Sequence, residues 1–359
     1  MLAADHAIAE LSLPEFDPRA LVRRAAPAAL LIGCAAAVVL LAGGRVNGFI
    51  DAARRGLAVS PGWAAAGAVF ELFSLAAYVG LLALVAGGAT ARIGTRESAQ
   101  IALVGAAATR LLPTAGAGGV ALALWTLRRA GLPARTATRT LLAFMVLLYS
   151  VFLAAIVASG AALALGVAHA SGPTQLAAVP ALAALLAIVL AVTLAWRPGA
   201  AVGSSRVRAT TALLGGAVRD AWSLIGQRDK RLFGAIGYWG FDAAVLWAML
   251  HAFGAAPSLP VVALAYLVGQ VANTVPVPGS VSGGMTGVLL ALGVPAEVAL
   301  PSVLAYRAIA IWLPCPIAIA AVPGLRGTVS RWGLEHGSSA SAHVPVSKGA
   351  GVRAQVSAT

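Results

Sequence analysis

Apolar runs of membrane-crossing length, separated by short polar loops, dominate the hydrophobic pattern of the chain. A helix needs about 17–25 apolar residues to cross the hydrocarbon of a bilayer. Six segments meet that length: Ala26–Gly44, Trp63–Ala86, Arg139–Leu165, Leu176–Trp196, Leu232–Phe253 and Ser302–Val322. Two further apolar regions, Ala99–Leu127 and Leu259–Leu292, are interrupted. The first holds Pro113 with Gly118 and Gly119, the second Pro278 with Gly283 and Gly284. Proline removes a helical donor and clashes with the preceding turn, and clustered glycines ease the chain out of the helix. Irregular backbone survives at membrane depth only where protein or a wet cavity surrounds it. The pattern therefore predicts an all-α polytopic membrane protein with six full spans and two re-entrant broken-helix hairpins.

Composition agrees with this. Hydrophobic residues make up 60% of the 359, charged residues only 10%, and mean hydropathy is +0.90. A globular domain carries about a quarter charged residues, so this chain lacks the polar cover that water requires. The net charge of +13 does not indicate nucleic acid, because the arginines sit in short loops between apolar runs rather than along one face. Cys34 and Cys315 lie in apolar runs and suggest neither a disulfide framework nor a zinc site. Leu31-Ile32-Gly33-Cys34 has the look of a lipoprotein cleavage site, but apolar sequence continues to Ala42 and acidic residues precede it, so the first run reads as a span.

The loops are of two kinds. Arg128, Arg129, Arg135 and Arg139 crowd one, and Arg197, Arg206, Arg208, Arg219, Arg228, Lys230 and Arg231 crowd another. The stretches 169–174 and 254–260 hold no Lys or Arg. The positive-inside rule puts the first kind in the cytoplasm, the second outside, and both termini inside. The loop with Arg45, Arg54 and Arg55 falls outside against that rule, and its 49–55 stretch is expected to lie flat on the interface. The organisation expected is a cytoplasmic segment over 1–25, a first membrane repeat over 26–165, a second over 166–322 containing a basic cytoplasmic linker at 197–231, and a disordered cytoplasmic tail over 323–359. The location expected is a bacterial inner membrane.

A repeat is the reason for that division. Gly131-Leu132-Pro133-Ala134 matches Gly293-Val294-Pro295-Ala296 at a spacing of 162 (131 to 293), and Leu142-Ala143-Phe144 matches Leu304-Ala305-Tyr306 at the same spacing. Pro113 with Gly118-Gly119 matches Pro278 with Gly283-Gly284, and Phe70-Glu71 aligns loosely with Phe241-Asp242. The first broken hairpin lies between basic loops and the second between loops without Lys or Arg. Equivalent elements thus face opposite ways, the inverted-topology arrangement of many secondary transporters.

Four ionisable residues fall within the apolar segments: Glu71, Arg110, Asp242 and Arg307. A charge at that depth costs about 2.5–3.5 kcal/mol by insertion scales and faces a partner or water. The pairs Glu71–Arg110 and Asp242–Arg307 could serve packing alone, or they could meet a substrate headgroup. Gln270 and Asn273, on the approach to the second hairpin tip, are candidates for the same headgroup or for interhelical hydrogen bonding. Gly283 and Gly287 form a GxxxG, the pattern of close helix packing. There is no Walker loop, HExxH, GxSxG or paired CxxC, so neither a cofactor nor a metal is expected and the chain is not read as an enzyme.

The run Val277-Pro278-Gly279 through Gly283-Gly284, then Gly293-Val294-Pro295, Ala305-Tyr306-Arg307 and Trp312-Leu313-Pro314, resembles the lysylphosphatidylglycerol synthase transmembrane region family, also called flippase-like. Leu111-Leu112-Pro113 with Gly118-Gly119 is similar to its other signature. The resemblance spans roughly Ala26–Val322. It implies membrane residence and, for members that also carry an aminoacyltransferase, translocation of an aminoacylated phospholipid; no such domain follows Arg331, so lipid synthesis is not expected of this chain. Two departures bear on substrate. Members often carry a glutamate near the position of Met285 or Thr286, and a Gly-Glu and an arginine where this chain has Gly118-Gly119 and Val120. The expectation is a transporter-like translocase of a phospholipid or lipid-linked polar molecule, with membrane lipids as partners. The alternative is a non-transporting scaffold or accessory subunit of an envelope lipid or glycan assembly enzyme. A cavity joining Glu71, Asp242 and Arg307 would favour transport, and a dry paired core the scaffold.

Overall fold

The computed structural model describes residues 60–111, 117–196, 205–274 and 279–341. All regular structure among them is helical. Eleven α-helices are described: α1 (Pro61–Ala89), α2 (Thr95–Leu111), α3 (Ala117–Arg129), α4 (Ala134–Ala164), α5 (Ala178–Trp196), α6 (Ser205–Gly226), α7 (Phe233–Ala252), α8 (Leu259–Val271), α9 (Ser280–Ala291), α10 (Ala296–Trp312) and α11 (Pro314–Ser341). Among the described residues five segments are long and apolar enough to cross a membrane: Pro61–Ala89, Ala134–Ala164, Thr174–Thr193, Lys230–Ala252 and Ala296–Gly333. The expected first span, Ala26–Gly44, lies outside the described residues.

At the centre α1 packs against α7. Trp63 meets Trp247 with ring centroids 5.6 Å apart, Phe70 stacks on Phe241 at 6.3 Å, and Tyr78 meets Tyr238 at 5.1 Å. Numbers rise along one helix as they fall along the other, so the pair is antiparallel. Small residues allow the close approach. A Cβ at Gly67 would lie 3.1 Å from Met249 Cε, and one at Gly237 2.9 Å from Ala77 Cβ. The Ser74 hydroxyl donates to the Tyr238 carbonyl at 2.9 Å across this contact.

Around the pair stand two hairpins, α2–α3 and α8–α9, each built on glycine. A Cβ at Gly119 would come within 2.8 Å of the Gly105 carbonyl oxygen, and one at Gly269 within 2.9 Å of the Met285 backbone nitrogen. Gly283 and Gly287 have nothing within 4 Å of such a carbon among the described residues. The GxxxG singled out in the sequence is therefore not the packing motif; Gly269 and Gly284 fill that role. Each hairpin also ends on the same stop. The Leu132 and Gly131 amides donate to the Leu127 and Arg128 carbonyls, and the Val294 and Gly293 amides to those of Leu289 and Leu290. Gly131 and Gly293 adopt φ of 97° and 89°, the left-handed turn of a Schellman cap.

The loops segregate by charge. At one end the Arg139 guanidinium clasps the Asp220 carboxylate of α6, and Arg219 donates to the Ala195 carbonyl at 2.8 Å. Asp229 lies on the connection into α7, where hydrogen bonds from the Arg231 side chain hold its carboxyl below the usual carboxylate range. The stretches without Lys or Arg also meet one another. The Gly172 amide donates to the Leu292 carbonyl at 3.1 Å and the Ser258 hydroxyl to the His169 carbonyl at 2.8 Å.

The basic linker 197–231 contains a 22-residue helix, α6. One difference from the sequence reading concerns the last described segment: from 323 onward, read as a disordered tail, it is helical through Ser341 and passes through Pro323. Its first half packs on α2, with Leu325, Thr328 and Trp332 buried and the Thr328 hydroxyl bonded to Gln100 at 3.0 Å. That burial holds the helix together. Residues 342–359 lie outside the described residues, as does 1–25.

Candidate functional site

A cavity of about 590 Å³ opens where the ends of the two hairpins come together. The first hairpin contributes Thr109, Gly119 and Val120, and the second Gln270, Asn273 and Thr274. The α1–α7 pair contributes Tyr78, Tyr238 and Trp239, and α4 contributes Phe144, Tyr149 and Phe152. Such a volume lies within the roughly 300–1,000 Å³ usual for small-molecule sites.

Packing fixes the polar edges of the cavity. The Trp239 indole N–H donates to the Leu148 carbonyl at 2.8 Å, which holds its ring against Phe152, 4.7 Å away. The Thr109 hydroxyl accepts the Gly119 amide at 3.1 Å and satisfies a donor at the first turn of α3. Gln270 donates from Nε2 to the Tyr306 hydroxyl at 3.2 Å. The Tyr306 ring meets Tyr266 edge-on at 6.0 Å, and the Tyr266 hydroxyl donates to Asp242 Oδ2 at 2.7 Å. A run of contacts thus leads from the cavity wall to the buried acid.

The sequence candidates divide accordingly. Gln270, Asn273 and Gly119 line the cavity. Glu71 and Asp242 are buried, 0% and 2% exposed, and neither is in the lining. Asp242 is held by Tyr266 rather than by Arg307, and its Oδ1 has no hydrogen-bond partner among the described residues. Arg307 is half-buried on α10, also outside the lining. The cavity does not join the two acids with Arg307, although it does join the hairpins. Gly118, Gly283 and Gly284 sit at the starts of α3 and α9. Pro113, Pro278 and the side chain of Arg110 lie outside what is described.

Sequence reasoning missed the aromatic wall. Tyr78, Tyr149 and Tyr238 sit inside apolar spans, where a phenolic hydroxyl needs a partner, and that was the available signal. Among the described residues no Asp, Glu, Lys or Arg lines the cavity, and no group of three or more His, Cys, Asp or Glu could hold a metal ion. A second cavity, of about 620 Å³, opens at the basic end between α1, α4 and α6, with Thr140, Asp220, Gln227 and Arg231 in its wall.

Compared with known proteins, the chain matches the model of one family, described as the lysylphosphatidylglycerol synthase TM region, over residues 27–318. No curated protein matches it.

Proposed function

The chain belongs to the lysylphosphatidylglycerol synthase transmembrane region family, and from that footing we propose that it moves a lipid or lipid-linked polar molecule between the leaflets of a bacterial plasma membrane, without chemistry of its own. The observation that carries this reading is the cavity between the hairpin ends, a largely apolar space into which hydroxyls, amides and aromatic rings also project. Gln270 lies in the second hairpin and Thr109 in the first, so a headgroup bound there would touch both halves of the chain.

In this reading the halves are inverted repeats and the hairpins are re-entrant. The paired Schellman stops at Gly131 and Gly293, the glycine contacts in each hairpin, and the stacking of Phe70 on its counterpart Phe241 support it. So do helix lengths. α3 and α9 have 13 and 12 residues, about 18–20 Å at ~1.5 Å per residue, against about 30 Å of hydrocarbon. With the basic loops inside, both termini are cytoplasmic. Transporters of this construction rock one repeat against the other around a midplane site.

The test uses the purified full chain in vesicles with lipids carrying a reducible fluorophore on an acyl chain. An impermeant reductant bleaches the outer leaflet, and movement is read as loss of the protected inner fraction. Protein-containing vesicles should lose that fraction faster than empty ones for at least one headgroup class, and Gln270→Leu should slow it. Equal rates with and without folded protein, across anionic, cationic, zwitterionic and uncharged headgroups, overturn the proposal.

A further inference from the structure

We infer that α6 lies in the plane of the membrane surface and binds anionic phospholipids of the leaflet beside the basic loops, the cytoplasmic one in the proposed orientation. The inference stands whether or not the cavity between the hairpins moves a lipid. Three connections set the depth of α6. Arg139, near the start of α4, meets it twice: its guanidinium clasps Asp220, and a Cβ at Gly216, one turn earlier, would lie 3.6 Å from its Nε. Arg219 donates to the carbonyl of Ala195, next to last in α5. Just after α6 ends at Gly226, the membrane-length segment Lys230–Ala252 begins. From Gly216 to Gly226 the helix runs about 15 Å at ~1.5 Å per residue, yet it stays at the level where these spans begin or end. A helix crossing the bilayer would leave that level.

The faces of α6 differ. Ala217 and Ala221 are buried. About a quarter turn round, Leu214, Trp222 and Ile225 share one flank and are exposed, Trp222 to 65%. Phe233 and Ile236, in the first turns of α7, are exposed as well. Large apolar groups at this level belong at the boundary between acyl chains and headgroups, where tryptophan also settles. The charge beside them is of one sign. From Ser205 to Ile236 the sequence has six Lys or Arg against two Asp, and Arg197 is the sole ionisable residue of 197–204. Asp220 and Asp229 are held by Arg139 and Arg231, so they do not offset Arg228 and Lys230, which are exposed between Ile225 and Phe233. An apolar flank ending in two cations fits a lipid whose headgroup carries net negative charge. Each basic side chain at such a surface strengthens binding about fivefold.

The experiment uses Trp222 as its own reporter. The full chain is reconstituted in phosphatidylcholine vesicles carrying an equal small fraction of dibrominated phosphatidylglycerol or dibrominated phosphatidylcholine. Bromine high on the acyl chain quenches tryptophans close to it, and the difference between the parent and Trp222→Phe isolates Trp222. The brominated phosphatidylglycerol should quench Trp222 at least about threefold more strongly than the brominated phosphatidylcholine. Brominated phosphatidylserine should match it, because the recognition is of charge. Arg228→Gln combined with Lys230→Gln should bring the ratio near one; Arg231 is kept because it holds Asp229. Raising the salt should shrink the ratio in the parent itself, a measurement that needs no variant to fold. Failure of either lipid to quench Trp222 puts the flank outside the bilayer and overturns the inference. A parent ratio near one overturns it too, as does a ratio that ignores both salt and the double substitution. Glycerol phosphate that abolishes the difference at constant ionic strength would assign the basic end to a soluble phosphate and overturn the lipid.

Discussion

Replacing Gly269 by alanine asks whether the second hairpin is held by the contact between α8 and α9. The new methyl carbon would stand 2.9 Å from the backbone nitrogen of Met285 and 3.0 Å from its Cα. Carbon atoms pack comfortably at about 3.5–4.0 Å, so the helices must part by roughly half an ångström or more, and no rotamer change can relieve a clash with backbone. Overpacking of this kind costs about 1–3 kcal/mol, and alanine's better helix propensity returns about 0.8–1.0 kcal/mol. The net expectation is a loss of about 0–2 kcal/mol. At Gly283, on the same hairpin, nothing stands within 4 Å of the added carbon among the described residues. Only the propensity gain operates there, so Gly283→Ala should match or exceed the parent by up to about 1 kcal/mol. Reversible unfolding from dodecylmaltoside into sodium dodecyl sulfate, followed by circular dichroism, resolves differences of this size. Gly269→Ala as stable as Gly283→Ala would refute the reasoning, and the GxxxG at Gly283 and Gly287 would regain its claim to be the packing motif.

Two further outcomes follow from the same geometry. Tyr266→Phe removes the hydroxyl that donates to Asp242 and should destabilise by about 1–3 kcal/mol, whereas Tyr266→Phe combined with Asp242→Leu should recover most of that loss; the unfolding assay above would contradict this if the two changes simply added. Cysteines placed at Arg135 and at Glu297, in a chain otherwise free of cysteine, should differ in intact cells, the first protected from an impermeant maleimide and the second labelled. Equal labelling removes the opposed orientation of the halves.

Much of the fold was legible because membrane spans are written in length and apolarity, and those properties survive any packing. Trp63–Ala86, Arg139–Leu165 and Leu232–Phe253 each end within one to five residues of the ends of α1, α4 and α7. The recurring turn was legible for a different reason. Gly131 and Gly293 adopt a positive φ, which an L side chain resists, so a glycine marks each turn in the sequence. The misreading of the tail has a physical cause. In the second half of α11, apolar and polar positions mix too evenly for a span, and what decides between helix and coil is a neighbour the sequence does not name, Gln100 meeting Thr328.

The site was less legible because charge drew attention away from the groups that line the cavity. An ionisable side chain in a span is expensive, and expense suggests purpose. Asp242, however, meets its cost locally through Tyr266, a residue that looked like one more aromatic in an apolar helix. The tyrosines carry the connection the acids were expected to make, since Tyr266 and Tyr306 bridge Asp242 to Gln270 at the cavity wall. A phenol needs only one hydrogen-bond partner and buries the rest of its ring, so it can sit at membrane depth for a fraction of what a carboxylate demands. A cavity that must admit a polar headgroup and then release it is better walled by such groups than by fixed charges, whose pairing with the ligand would have to be broken at each turnover. Under the proposed transport reading, Glu71 and Asp242 would belong to the frame that holds α1, α7 and α8 in place, and selectivity would fall to groups in the cavity wall such as Tyr78, Tyr149, Gln270 and Asn273.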